Sequence, residues 1–100
     1  MKGTEKQIAY ARNIINNTVS KINNVIANGE KVIARNESTG CQDAANRKRL
    51  DMWKECLEYM TTMEDEVESA AEIIDYEKEV GWFEYLNLSV SDECGGSSIC

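Results

Sequence analysis

The side chains of this sequence best suited to a specific task are carboxylates, and they are concentrated in its second half. Residues 1–50 carry 9 basic and 4 acidic side chains, whereas residues 51–100 carry 2 basic and 14 acidic ones. The densest run spans residues 64–79, where Lys78 is the single basic residue. Clustered carboxylates of this kind are suited to binding a cationic surface through their electrostatic field.

The spacing of these acids predicts a charged stripe if residues 64–79 form one helix. At about 100° per residue, five of the acids fall within about 80° of the helix surface. Residues 64–79 hold 8 acidic side chains and 1 basic one, a net charge of −7. On a helix this charge is spread over about 24 Å, roughly one charge per 3.4 Å, which is the phosphate spacing along one DNA strand. The stripe predicts a surface that imitates a nucleic acid and occupies a basic groove, and a solvated face of an acidic protein is the alternative. With one neighbouring acid added, the predicted partner-binding residues are Glu64, Asp65, Glu68, Glu72, Asp75 and Glu79.

Other chemistry finds little support in the residue types. The sequence has no histidine, and histidine is the commonest general base and a frequent zinc ligand. Its cysteines are separated by 15, 38 and 6 positions, unlike the closely paired ligands of zinc sites. We therefore expect no enzymatic activity, no metal and no cofactor. Free thiols fit a chain without a signal peptide, and two disulfides stay open as the alternative for Cys41, Cys56, Cys94 and Cys100.

The sequence contains one run of adjacent basic residues. Arg47, Lys48 and Arg49 are adjacent, and a solvated helix surface is the simplest interpretation. They could also form a secondary contact with a partner. Three basic side chains are too few for a nucleic-acid-binding protein by themselves, so we expect no direct binding to nucleic acid.

Length and composition predict a single soluble domain. One hundred residues can bury one modest core, and no stretch approaches the roughly 20 apolar residues of a membrane span. The start of the sequence is amphipathic rather than apolar, so we expect a cytoplasmic protein without membrane contact. The predicted domain covers residues 1–90. Residues 91–100, rich in glycine and serine, predict a flexible tail.

The first helix has clear signals at both ends. Thr4 can accept a hydrogen bond from a first-turn amide while Gln7 reaches back to it, which is a capping box. Asn28 and Gly29 predict the end of this helix, because glycine readily adopts the left-handed conformation found at helix C-termini. Residues 30–35 could add another turn before a polar loop at residues 36–40. Between these points the apolar residues recur at helical spacing at Ile8, Ala11, Ile15, Val19, Ile22 and Ile26.

The remaining elements are also helical, because the chain has no proline and long stretches with a period of 3.6 residues. A second helix is predicted from residues 41–43 to Met60, and a third after a break at Thr61 and Thr62, with one unbroken helix over residues 42–78 as the alternative. Gly81 should end or kink this segment. The aromatic cluster that follows, Trp82, Phe83 and Tyr85, is expected to close one end of the bundle. The prediction is an all-α bundle of three to four helices.

The first helix also carries a resemblance. Residues 3–11, Gly-Thr-Glu-Lys-Gln-Ile-Ala-Tyr-Ala, resemble the GTEKQIxxA helix start of small accessory proteins from phages and mobile elements of Gram-positive bacteria. A C-terminal aromatic pair in that group is similar to Trp82-Phe83, although the residues after the pair, Glu84 to Asn87, depart from its pattern. The resemblance implies a phage or prophage setting in a bacterial host cell. It assigns no activity and no functional residue to this sequence.

Together these features favour a binding function. The first hypothesis is a phage-encoded inhibitor, similar to anti-CRISPR proteins, that uses the acidic stripe to occupy the basic groove of a host nucleic-acid-handling defence protein such as a CRISPR effector. The second is a helical adaptor that forms a homodimer through helix one or through the cluster of Trp82, Phe83 and Tyr85. A regulator that reads DNA with Arg47, Lys48 and Arg49 is a weaker third.

Overall fold

The computed structural model describes residues 1–40 and 44–94, apart from the side chains of residues 64 and 92–94. Four helices form the described chain: α1 (Glu5–Ser38), α2 (Ala44–Glu66), α3 (Ala70–Glu79) and α4 (Trp82–Cys94). The predicted all-α helix bundle is confirmed. Helix α4 includes residues 91–94, which the sequence assigned to a tail, and residues 95–100 of that predicted tail lie outside the described residues.

Helix α1 begins where the sequence predicted and ends later. The Gln7 amide donates to Thr4 Oγ1 at 3.1 Å, and the Thr4 amide donates to Gln7 Oε1 at 3.0 Å, so the capping box is confirmed. The predicted end at Asn28 and Gly29 is wrong, because α1 continues to Ser38. A Cβ on Gly29 would lie 3.3 Å from Leu50 Cδ1. Gly29 therefore allows α2 to approach closely instead of ending the helix.

The break between α2 and α3 also differs from the prediction. Thr61 and Thr62 lie inside α2, and their hydroxyls donate to the carbonyls three residues earlier, at 2.8 and 2.9 Å. A break at these threonines is wrong, and so is one unbroken helix over residues 42–78. The chain leaves the helix at residues 67–69, where the N-terminus pairs with it: the Lys2 amide donates to the Glu68 carbonyl, and the Ala70 amide donates to the Lys2 carbonyl at 2.8 Å.

Two long helices form a hairpin, and two short helices pack on it. Helices α1 and α2 form a long antiparallel hairpin, joined near its turn by an ion pair between Arg47 and Glu37. Helix α3 runs parallel to the start of α1: a parallel bridge joins Lys2 to Ser69, and successive turns of the two helices line one groove. The predicted stop at Gly81 is confirmed: α3 ends at Glu79, and Gly81 adopts φ +91° before α4 turns back along α2.

Helices α3 and α4 cover only part of the hairpin, and the molecule is a rod of 54 × 20 × 18 Å. Its radius of gyration of 15.9 Å exceeds the roughly 13 Å expected for a globular domain of this length. We call residues 1–24 and 53–94 the body. Residues 25–38 of α1 and 44–52 of α2 form the arm, which extends about 21 Å along α1.

The hydrophobic core lies in the body. All four helices contribute to one buried cluster, with Ile22 from α1, Met60 from α2, Ile73 from α3 and Val90 from α4 almost completely buried. In the arm, Ile33 is buried but does not belong to that cluster. The surface residues of the body are therefore supported by a packed core, whereas the arm has little core of its own.

Candidate binding surface

The predicted partner-binding acids do not share one helix. Glu64 and Asp65 lie on α2, Glu68 lies in the link, and the remaining three lie on α3. Because α2 and α3 run in opposite directions, a continuous stripe along a single rod is wrong. The side chain of Glu64 is outside the described residues, whereas Asp65 and Glu68 are exposed. Their role in binding stays a prediction.

A shorter acidic surface is present on α3. Glu72, Asp75 and Glu79 are exposed, and their spacing of three and four residues places them within about 60° of the helix surface. We call these three residues the acidic face. It extends about 10 Å along the helix at 1.5 Å per residue. Glu68 is exposed just before its first turn, so negative charge begins one turn earlier than the face itself.

Basic side chains lie beside the acidic face on the side that faces α1. Asp75 lines a groove of about 460 Å³ between α1 and α3, and Lys6 and Lys78 line the same groove. Their positive charges reduce the negative potential around Asp75. Glu72 and Glu79 do not line this groove. The strongest negative potential of the face is therefore expected around these two residues.

The opposite side of α3 fixes the face in place. Ala70 and Ile73 are completely buried in the core. The Trp82 indole N–H donates to the Ile73 carbonyl at 3.1 Å, and the Trp82 ring packs on Tyr76 with ring centres 4.4 Å apart. The Trp82 amide donates to a Glu77 carboxylate oxygen at 2.9 Å. Helix α3 is short, and these contacts to α4 hold it against the body.

The predicted secondary contact lies on the arm, far from the acidic face. Arg47 and Lys48 are exposed and Arg49 is half-buried. Arg47 pairs with Glu37 across the hairpin, so part of this basic charge is used within the molecule. The structure does not bring these residues together with the predicted acidic ones.

The predicted aromatic cluster is mostly interior. Trp82 is buried, and Phe83 stacks on Trp53 with ring centres 5.4 Å apart while Lys21 Nζ lies 5.6 Å from the Phe83 ring centre. Of the three aromatic residues proposed for self-association, only Tyr85 is exposed. The apolar face of α1 is likewise buried within the molecule. Formation of a homodimer stays a prediction, without the surfaces expected for it.

The structure reveals an apolar surface that the sequence interpretation did not identify. Tyr59 on α2 and Tyr85 and Leu88 on α4 are 48%, 43% and 61% exposed. The signal was present: the core of α4 repeats at Trp82, Leu86 and Val90, and Leu88 falls outside that repeat. An apolar residue outside the periodic face of a helix is the sequence signal that indicates such a surface.

The thiol chemistry of the described chain is limited. Cys56 is a free, half-buried cysteine, and burial raises its pKa, with the neighbouring carboxylate of Glu55 adding to the shift. Its thiol is therefore mostly protonated near neutral pH. Among residues 1–40 and 44–94, no group of three acidic or thiol side chains is placed to hold a metal ion.

Comparison with protein-family models, with curated protein sequences and with solved structures gave no match to this chain. The described helices include none that is both long enough and apolar enough to cross a membrane.

Proposed function

We propose that this protein is a non-enzymatic binding protein that presents the acidic face of α3 to a basic surface of a partner. In its specific form, the proposal is a phage-encoded inhibitor, similar to anti-CRISPR proteins, whose partner is a host nucleic-acid-handling defence protein such as a CRISPR effector. The acidic face would occupy part of the groove in which that partner holds nucleic acid.

The observation that carries the proposal is the charge on a supported helix. Glu72, Asp75 and Glu79 all point away from the core, and the opposite side of α3 is buried. Like charges at this spacing repel each other by about 0.2–0.5 kcal/mol per pair. This repulsion is relieved when a cationic partner neutralises the three carboxylates, so it favours the bound state.

The mode of binding follows from the charge distribution. The body carries 6 basic and 14 acidic side chains, and the arm carries 5 basic and 3 acidic ones. The negative body would be steered towards a cationic groove, which gives fast, salt-sensitive association. The arm would be directed away from that groove, because its net charge has the opposite sign.

An interference assay in bacteria tests the proposal. A host with an active CRISPR system is challenged with a targeted phage, with and without expression of this protein, and plating efficiency is measured for a panel of CRISPR types. We expect the protein to restore plating against at least one system. Failure against the whole panel would contradict the specific form of the proposal.

A matched pair of variants links the effect to the acidic face. The triple change Glu72→Lys, Asp75→Lys and Glu79→Lys should abolish the restored plating while circular dichroism shows unchanged helicity. The control triple Glu30→Lys, Asp51→Lys and Glu58→Lys alters the net charge equally at other exposed positions and should leave plating restored. Loss of plating with both triples would mean that only the total charge matters, and restored plating with both would contradict a role for the acidic face.

A further inference from the structure

A shallow groove runs between α2 and α4 on the body. Its volume is about 310 Å³, and its lining includes Glu55, Cys56 and Tyr59 from α2 with Tyr85, Leu86 and Ser89 from α4. We call it the tyrosine groove. Leu88 lies one helical turn from Tyr85 on the outer side of α4 and extends the apolar surface beyond the groove.

The exposed apolar side chains of this surface do not belong to the hydrophobic core. Helix α4 already buries Trp82, Leu86 and Val90 on its inner face. Leu88 is two residues from Leu86, so it points about 160° away and cannot join that face. Its exposure, together with that of the two tyrosines, forms a contiguous patch rather than scattered single residues, and such patches mark interaction sites.

Tyr85 is held in place before any partner arrives. Tyr76 packs edge-on against Tyr85 with ring centres 5.7 Å apart. The pKa of Tyr76 is raised by burial and further by the phenols of Tyr85 and Tyr59. Tyrosines fixed in this way offer a large contact area with little loss of side-chain freedom, and their faces attract lysine and arginine side chains.

The charge around the patch determines what can cover it. Glu55 is in the lining, and the lining contains no basic side chain. Glu66 is exposed on the Tyr59 side of α2, and Glu84 is exposed one turn before Leu88 on α4. A second copy of this surface would place these carboxylates against each other, which disfavours a symmetric dimer. A cationic occupant is complementary to the same rim.

We propose that the tyrosine groove is a docking site for a basic amphipathic helix of a partner protein. The apolar side of that helix would pack on Tyr59, Tyr85 and Leu88, and its lysines and arginines would face Glu55 and Glu84. This is the helix-in-groove mode of recognition. The inference goes beyond the proposed role of the acidic face and uses different residues, so either one can fail without the other.

Peptide binding measured by fluorescence anisotropy tests the proposal. The probe is a labelled 18-residue peptide with leucines at helical spacing and lysines elsewhere. One control peptide has the same composition scrambled so that the leucines share no face, and another replaces every lysine with glutamate. We expect the probe to bind and both controls to bind at least about tenfold more weakly. Equal binding of the scrambled peptide would reduce the effect to bulk charge and overturn the proposal.

Variants locate the binding on the protein. The double change Tyr85→Ala and Leu88→Ser should weaken probe binding at least about tenfold. The matched double change Tyr10→Ala and Val32→Ser removes an exposed tyrosine and an exposed aliphatic residue elsewhere and should leave binding unchanged. Reversal of the acidic face, measured in parallel, distinguishes this groove from α3. If the groove variant binds like the parent protein, the proposal is wrong.

A second readout does not depend on the folding of the groove variant. Cys56 lines the groove, so a docked peptide should slow its alkylation by iodoacetamide. The measurement uses protein in which Cys41, Cys94 and Cys100 are replaced by serine. Slower alkylation in the presence of the amphipathic probe, but not of the scrambled peptide, supports docking in the groove. An unchanged rate at saturating probe would place the peptide elsewhere.

Discussion

The body and the arm are built from the same two long helices but are stabilised differently. In the body, α1 and α2 are covered by α3 and α4, and the four helices share one core. In the arm, Val25, Ile26 and Met52 pack against the edge of that core, and Ile33 is a buried residue outside it. Buried contacts set local stability. The difference suggests that binding surfaces fixed in one geometry belong on the body, which is where the acidic face and the tyrosine groove lie.

The largest expected effect comes from the contact between α3 and α4. Trp82→Ala removes a buried indole, its packing on Tyr76 and its hydrogen bond to the Ile73 carbonyl. Replacement of a buried tryptophan by alanine lowers the free energy of unfolding by about 3–5 kcal/mol. Urea unfolding followed by circular dichroism measures it. A loss below about 1 kcal/mol would mean that α3 and α4 contribute little to the body, against our comparison.

A smaller effect is expected in the arm. Ile33→Ala removes a buried side chain whose surroundings are partly open, so the free energy of unfolding should fall by about 2 kcal/mol, the low end for this substitution. Amide hydrogen exchange should speed up in residues 25–38 and change little in residues 5–22. If exchange accelerates equally along the whole of α1, the arm and the body unfold as one unit.

Glycine substitutions sharpen the comparison further. Gly81 between α3 and α4 has φ +91°, a conformation that costs a residue with a Cβ about 1–2 kcal/mol. Gly81→Ala should lower the free energy of unfolding by that amount, measured in the same urea experiment. The added Cβ would also approach the Glu84 carboxylate, which can move because its side chain is flexible and exposed.

Gly29→Ala in the arm should act in the opposite direction. Gly29 lies within α1, where alanine is favoured over glycine by up to about 1 kcal/mol. The new Cβ would be 3.3 Å from the end of the Leu50 side chain, and we expect the loosely packed arm to adjust. Slower hydrogen exchange in residues 25–38 would support this. Faster exchange would show that the arm is packed as tightly as the body.

The smallest effect concerns reactivity rather than stability. Because burial and Glu55 raise the pKa of Cys56, less thiolate is present at a given pH in the folded protein than in the unfolded one. With the other cysteines replaced by serine, alkylation at neutral pH should be slower in the folded protein, and its pH midpoint should be higher. Equal midpoints in the folded and urea-unfolded protein would contradict the raised pKa.

Local signals in the sequence predicted the local structure well. The capping box of Thr4 and Gln7 depends on two residues three positions apart, and it forms as predicted. Gly81 ends α3 as predicted, because its backbone conformation is an intrinsic property of glycine. The all-helical class follows from periodicity in the same way.

The errors arose where distant residues decide the structure. Gly29 is a helix-stop signal by itself, but α1 continues past it to Ser38, and α2 packs close to it through Leu50. The true break after α2 depends on pairing of Lys2 with Glu68 and Ala70, which are more than 60 positions away in the chain. Since that break divides the predicted acidic stripe, the sequence could identify the acidic character of the surface but not its extent.

The most direct test of the account is carboxylate labelling of the protein in complex with a partner identified by the interference assay. Carbodiimide coupling of an amine, followed by mass spectrometry, reports which acidic side chains the partner covers. We predict protection of Glu72, Asp75 and Glu79 on the body, with Glu30 and Asp51 on the arm labelled as fast as in the free protein. Protection confined to the arm, or full labelling of α3 in the complex, would contradict a binding surface built on the acidic face.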